Sequence, residues 1–444
     1  PKILYAVEGS RISETSVEIK WVVSEKNPVD GLAIWEEGTT EERQISLENA
    51  SAGQYTITGL TPRTTYYVAL TNSAAPEGAE KYNQQRFTTA GMPADAVVVE
   101  DGVDLMDKIK AGMTDASKQA LVFQLKNGVD YYLTAGGEVA AKTGDIKLTK
   151  SIALLANPGE RPTLYIREGC FNVKPESGNM PDIEYFVVDN VNIKETWTDS
   201  KPSKGSKTRL LNIGKHDAGT DFTIDRFEIT NSDIVLPSAV LMMSDASEGV
   251  TTINHIRIDN CLVSGINTSA VTKQFGFIHA INKGSNVWND VSVTNSTFYE
   301  FYISPGVFGA PTANVPIAAG NKVVISNCTF YNWGSNKDGK NTYRAVGNFS
   351  KLTAPLNLSV NNCVFGSSES KVLDAGGINL DSKGNYCTSD FEKMSDAGLT
   401  LISLDTDDAS LFRNIEENDF TVIDAESVIY KSEYGDPRWI TVLD

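Results

Sequence analysis

The sequence predicts an all-β protein in three parts: a small β-sandwich over residues 1–91, a parallel β-helix with an N-terminal cap over 92–390, and a C-terminal cap segment over 391–444. Three observations carry that prediction. A short motif recurs after residue 180, the first ninety residues break into short alternating strands, and the composition is turn-rich, with 35 Gly against 3 His. At 444 residues the chain exceeds one ordinary domain.

The sandwich is read from Thr15-Ser16-Val17-Glu18-Ile19-Lys20-Trp21, where Val17, Ile19 and Trp21 share one face. Gly31-Leu32-Ala33-Ile34-Trp35 and Tyr55-Thr56-Ile57 follow, and Arg86-Phe87-Thr88-Thr89 supplies the last strand. The run Leu60-Thr61-Pro62-Arg63-Thr64-Thr65-Tyr66 resembles the fibronectin type III family. That resemblance implies a tyrosine corner at Tyr66, whose hydroxyl bonds back to the chain, and a core position for Trp21. Modules of this family usually serve as spacers.

The repeat is apolar-x-Asn-small-x-apolar, with Asn at 190, 231, 260, 295, 327 and 362. The intervals of 41, 29, 35, 32 and 35 residues vary while the motif holds. That suits a solenoid whose coils differ in loop length. Each coil offers short strands with an apolar face that only the next coil covers. Asn at the bend tolerates a left-handed backbone, and stacked Asn side chains can bond along the axis. The residue after each Asn (Val191, Ser232, Cys261, Ser296, Cys328, Cys363) is small and is placed inside the coil. Three of the five cysteines become core fillers on this reading; none shows metal-ligand spacing. The pattern resembles the pectate-lyase-like right-handed parallel β-helix superfamily over about residues 120–390. The helical spacing of Asp104-Leu105-Met106-Asp107-Lys108-Ile109-Lys110 predicts a capping helix. The tail, with Tyr434-Gly435-Asp436-Pro437-Arg438-Trp439, is expected to cover the other end.

The whole arrangement resembles a group of Bacteroidetes surface proteins that join a fibronectin-like module, a β-helix and a Gly-Asp-Pro-Arg-Trp ending. The resemblance implies export, a lipid anchor upstream of Pro1 and glycan-uptake partners in the outer membrane, with the protein on the extracellular face or secreted. The chain begins at Pro1, as a chain that has lost its leader would. It holds no run of eighteen apolar residues that would span a membrane. A net charge of −18 argues against a nucleic-acid partner, which needs a basic face.

Lyases of the resembled superfamily bind Ca²⁺ through clustered carboxylates and use an Arg or Lys base on the strand before the Asn-bearing strand. Those strands fall at about 209–213, 239–243, 276–281 and 343–348, with Arg209, Asn212, Met242, His279 and Arg344 expected to face outward. No stack of Asp is among them, which lowers the lyase reading, and no paired carboxylates for a hydrolase are seen. His279 and Arg344 are the catalytic candidates; His279, in Phe277-Ile278-His279-Ala280, reads first as a structural residue and second as a base. Lys215-His216-Asp217 reads as a solvated loop. Asp405, Asp407 and Asp408 could hold Ca²⁺ but lack Ca²⁺-loop spacing, so a hydrated acidic loop is the plain reading and no metal or cofactor is expected.

The loops that follow the Asn-bearing coils are basic and aromatic. They nominate Trp197, Lys204, Lys207, Arg209, Lys273, Trp333, Lys337, Tyr343 and Arg344 as one ligand-binding edge. Aromatic faces stack on sugars and lysines attract uronates or sulfates. The plain alternative is that lysines keep the loops soluble while Trp197 and Trp333 pack against the solenoid wall. The expected function is therefore non-catalytic, cell-surface binding of an extracellular, pectin-like polysaccharide. The alternatives are a polysaccharide lyase or glycoside hydrolase with a diverged site, and an adhesin-like structural protein.

Overall fold

The computed structural model describes residues 2–133, 146–166, 171–195, 209–236, 240–245, 248–266, 276–281, 285–301, 306–309, 322–333, 343–350, 357–368, 370–392 and 397–443. The alternating segment Ser16–Lys20 pairs antiparallel with Gln54–Thr58. A four-stranded antiparallel sheet, in the order Glu42–Ser46, Gly31–Glu36, Thr65–Thr71 and Lys81–Thr88, packs against it. Val17, Ile19, Trp21, Leu32, Ile57, Val68 and Phe87 form the core between them. The Tyr66 hydroxyl accepts the Thr61 backbone N–H at 3.0 Å, the bond expected of a tyrosine corner.

Beyond the linker the chain is a right-handed parallel β-helix of three sheets. We call them I, II and III in the order in which each coil visits them; their strands are counted among the described residues. Sheet I has eight strands, among them Arg209–Ile213, Val240–Asp245, Ile278–Ile281 and Arg344–Asn348. Sheet II has ten, including Lys150–Leu155, Asp182–Asp189, Phe222–Thr230, Val250–Asp259 and Ser285–Thr294. Sheet III has ten, including Asp233–Val235, Thr297–Phe301, Thr329–Tyr331 and Val364–Phe365. All pairings within these sheets are parallel, as for Val187, Glu228, Arg257 and Ser292, which stand in one row of sheet II.

The asparagine bend lies between sheets II and III. Asn190, Asn231, Asn260, Asn295, Asn327 and Asn362 have φ of 60, 52, 53, 51, 51 and 57°, the left-handed region that Asn tolerates better than other side chains. Val191, Ser232, Cys261, Ser296, Cys328 and Cys363, next in sequence, are fully buried. The side-chain ladder is only partly Asn to Asn. Asn260 Nδ2 donates to Asn231 Oδ1 at 2.8 Å, whereas Asn231 and Asn295 donate to the carboxylates of Asp189 and Asp259. The interior is aromatic: Phe298, Phe330 and Phe365 stack coil on coil at 5.1 and 5.2 Å.

Helix Leu105–Thr114 caps the first coils. Asp104 closes its N-terminus by accepting the Asp107 N–H at 3.1 Å, and Leu105, Met106, Ile109 and Met113 are buried. Of the tail, Ala397, Leu399 and Leu401 pack on the β-helix core. The remainder lies along the outside of sheet III, where Phe412, Phe420, Ile429 and Tyr430 cluster with Tyr299, Tyr331, Val364 and Tyr386. Asp436 is 1% exposed; it accepts from Thr297 Oγ1 at 2.7 Å, and its own N–H donates to Thr329 Oγ1 at 3.0 Å. Gly435 sits at φ 83°, where a Cβ would come 2.8 Å from Thr329 Oγ1, so the glycine lets the C-terminal strap, residues 433–441, lie flat on the threonine row.

A β-branched residue cannot adopt the bend without strain. Asn327→Gly is expected to stay close to wild type in a denaturant melt, while Asn327→Val should lose about 1–2 kcal/mol. Equal loss in both variants would contradict a conformational role for the bend.

Candidate functional site

The first coils of sheet II have an apolar outer face, Val122, Ala153 and Leu155, which the linker covers through Met92 and Ala96. Further along, the outer face becomes polar and the sandwich stands over it. Between them lies a cleft of about 790 Å³. Its floor is sheet II: Tyr185 and Arg226 in one row; Val187, Glu228 and Arg257 in the next; and Leu155, Asp189, Thr230 and Asp259 in the third. Its roof is the outer face of the four-stranded sheet, with Thr65, Tyr67, Arg86 and Thr88. The strap forms a third wall through Glu433, Pro437, Arg438, Ile440 and Thr441.

Six arginines (63, 86, 161, 226, 257, 438) and five carboxylates (95, 189, 228, 259, 433) line this cleft. In a chain of net charge −18 that is a strong local concentration of cations. Most are already in fixed hydrogen-bonded pairs. Arg86 Nη1 bonds Asp259 Oδ2 at 2.8 Å, Arg257 reaches the same oxygen at 3.2 Å, and Arg86 Nε also holds Glu37 at 2.9 Å. Arg226 pairs with Glu228 at 3.6 Å and lies over the Tyr185 ring at 5.3 Å. Arg161 and Arg438 donate to the bend residues Asn190 and Asn260 at 3.2 and 3.1 Å. Tyr67 stacks on Trp35 at 5.8 Å, which fixes its ring at the cleft edge.

Asp259 is the pivot between sandwich and β-helix. Burial alone would push its carboxyl up, but Arg86 and Arg257, with hydrogen bonds from Thr294 and Asn295, outweigh that and hold it below the usual carboxylate range. Burial likewise acts against the Arg86 charge, and Asp259 and Glu37 more than restore it.

The residues nominated from sequence have mixed fates. Trp197, Lys204, Lys207, Lys273 and Lys337 lie outside the described residues. Trp333 is a correction: it is fully buried among Phe330, Phe365 and Phe391, and its Nε1 donates to the Lys371 carbonyl at 2.8 Å. An indole in that position completes the core and offers no face to a sugar. His279 is a correction as a base. It is 1% exposed, Nδ1 accepts the Gly276 N–H at 2.9 Å, and burial, with the nearby Arg209 charge, pushes its pKa down to about 3. Met242, expected outward, is a core residue, because Met243 takes the outward register beside Asn212 and His279. Arg344 is paired with Asp374, and Arg209 donates to Asn212; burial pushes the Arg209 pKa down to about 10. Tyr343 is partly exposed just before Arg344. His216 is no solvated loop residue: it is 3% exposed, with ring nitrogens 2.6 Å from Thr220 O and Thr251 Oγ1. Asp407 caps a short helix by accepting the Ser410 N–H, and burial together with a hydrogen bond to Asp390 raises Asp408 to about 6.

The cleft itself was missed by sequence reasoning. Its signal was nonetheless in the repeat: the residue before each bend is Asp189, Thr230, Asp259, Thr294, Ser326 or Asn361, polar in every coil. That row is the one nearest the asparagines on the outer face of sheet II.

Among known proteins, a family model described as "Domain of unknown function (DUF5123)" matches residues 323–439. None of the curated proteins matches. Among solved structures, a family 28 exopolygalacturonase of Yersinia enterocolitica aligns over 92% of this chain and 99% of its own, at 11% identity and a TM-score of 0.22. Likeness at that level carries no argument about activity.

Two outcomes follow from the packing. Because the native Asp259 carboxyl is held down, its contribution is present above the unfolded carboxylate pKa, about 4, and is lost as pH falls through the native value. Limited proteolysis at 90–96 should therefore accelerate below about pH 4, and in Arg86→Ala at neutral pH; cleavage insensitive to both would contradict the role of the Arg86–Asp259 pair in holding the sandwich on sheet II. Trp333→Ala should cost about 3–5 kcal/mol in a denaturant melt, and a loss near zero would contradict its burial.

Proposed function

We propose that this protein is a non-catalytic, extracellular polysaccharide-binding protein that holds its ligand in the cleft between the sandwich and sheet II. The observation that carries the reading is the cleft's lining. It combines the partly exposed rings of Tyr67 and Tyr185, each backed on one face by Trp35 or Arg226, with planar Arg, Asn and Asp groups fixed in advance by mutual hydrogen bonds. Sugars are bound by that combination, because the ring C–H faces need an apolar surface and the hydroxyls need oriented donors and acceptors. Preordering the polar groups lowers the entropy lost on binding.

The carboxylates support binding over proton transfer. Asp259 is held ionised by two arginines, which makes it an acceptor of hydrogen bonds and a poor donor of protons, and Glu228 is ion-paired with Arg226. The cluster of arginines makes acidic, pectin-like chains the first class to try, with the strands of sheet II repeating about every 4.8 Å along the polymer. We place the protein on the extracellular face of the outer membrane or in the medium, beside other glycan-uptake proteins. The sandwich would serve as the roof of the site and the spacer to an anchor.

The test is affinity electrophoresis through gels holding pectic, sulfated and neutral polysaccharides, with a reducing-end assay on the same polymers. Retardation of wild type, lost in Tyr185→Ala and Arg226→Ala and without release of reducing ends, is the expected result. A second variant, Trp197→Ala with Lys204→Ala and Lys337→Ala, tests the loop edge: loss there with retention in the cleft variants would move the site to those loops. Release of oligosaccharides by pure protein would overturn the non-catalytic reading.

A further inference from the structure

Two coils carry the same three residues at equivalent positions. Asp189 Oδ1 accepts from Thr230 Oγ1 at 2.6 Å and from Asn231 Nδ2 at 2.8 Å. Asp259 Oδ1 accepts from Thr294 Oγ1 at 2.7 Å and from Asn295 Nδ2 at 2.8 Å. Register puts both carboxylates in one row of sheet II with Thr230 between them, two coils or about 10 Å apart. In each, the Oδ1 bonds fix the carboxylate so that Oδ2 is the oxygen left for another partner.

What meets Oδ2 differs. At Asp259, 2% exposed, Oδ2 takes Arg86 from the sandwich and Arg257 from two residues earlier in its own strand. At Asp189 the residue two earlier is Val187, and among the described residues no arginine or lysine pairs with Asp189, which stays partly exposed in the cleft. The same acceptor is therefore covered by guanidinium groups at one coil and presented to the cleft at the other, with Val187 in the next outward row of the same strand.

Resting on the reading of the cleft as a polysaccharide site, we infer that Asp189 Oδ2 is its donor-reading subsite and takes adjacent hydroxyl groups of one sugar ring. Arg86 at Asp259 displays the geometry inside the same molecule. A carboxylate oxygen that accepts two guanidinium N–H groups also accepts O–H groups from a vicinal diol. Val187, one outward row away, then lies beneath the C–H face of that ring, and Tyr185, a further row along, is left for the neighbouring sugar. A hydroxyl-rich ring satisfies both halves of this surface. A bare cation would leave the apolar half uncovered.

Asp189→Asn tests this with little change of shape, since its Oδ1 still accepts from Thr230 and Asn231; a thermal melt close to wild type verifies the fold. Two readouts are taken on the full chain. In the first, cis-1,2-cyclohexanediol, a vicinal diol on an apolar ring, is followed by saturation-transfer NMR. The signal should fall several-fold in Asp189→Asn, and an unchanged signal overturns the subsite. In the second, retardation by the polysaccharide that holds wild type should weaken about ten-fold, the worth of one hydrogen bond to a charged group. If Tyr185→Ala abolishes retardation and Asp189→Asn leaves it intact, the subsite is overturned and the cleft reading stands. If neither variant alters retardation the cleft reading falls, and with it a sugar role for Asp189. Thr230→Val, which loosens the carboxylate without touching its charge, should give an intermediate loss; full retention there overturns the orienting role of Thr230.

Discussion

Every other feature of this protein depends on one constraint: a coil of the β-helix has an apolar interior that only the adjoining coil can cover. The stacked Phe298, Phe330 and Phe365 are the clearest case, with ring on ring through successive coils. Such stacking requires each coil to turn at the same place. The left-handed asparagine makes that turn, and the small buried residue after it leaves room for the inward corner. Once the bend is fixed, side-chain alternation is fixed as well. The residue before every asparagine faces out, and a row of polar residues, Asp and Thr in the first four coils and Ser326 and Asn361 in the next two, results.

That row gives the sandwich something to dock on. Arg86 meets Asp259 where the register presents it, and Glu37 and Arg257 complete a network that keeps Asp259 and Arg86 ionised despite burial. A buried pair of this kind gains little net stability over an apolar contact but is costly to break, so it fixes where the sandwich sits more than how firmly the chain folds. The C-terminal strap acts in the same way from the other side. Asp436 reads the threonines of sheet III, and Arg438 reaches round to Asn260 at the cleft wall. The cleft is thus assembled from three parts of the chain that are far apart in sequence, and each is positioned by the same repeat.

The fold was legible because its determinants are local and repeated. The asparagine spacing located the bends, the small residues after them located the core, and the Tyr66 run located the sandwich's own corner. The site was less legible. Trp333 was misassigned because aromatic residues in a loop look alike whether they turn out to solvent or in to Phe365 and Phe391. Met242 was misassigned by one residue, and in a strand one residue reverses the face. Arg86 and Asp259 are 173 positions apart, and no local pattern announces that a sandwich strand will lie over the outer face of sheet II. The row of polar residues before the bends was readable, but its meaning depends on what stands opposite.

The central claim is that the ligand lies between the sandwich and sheet II. Hydroxyl-radical footprinting of the intact protein, with and without a polysaccharide that retards it, tests this most directly, because Tyr67 and Tyr185 are partly exposed in the cleft. Protection of both tyrosines by the polysaccharide is the predicted result. Unchanged oxidation of Tyr67 and Tyr185, with protection of Trp197 or Tyr343 instead, would contradict the account.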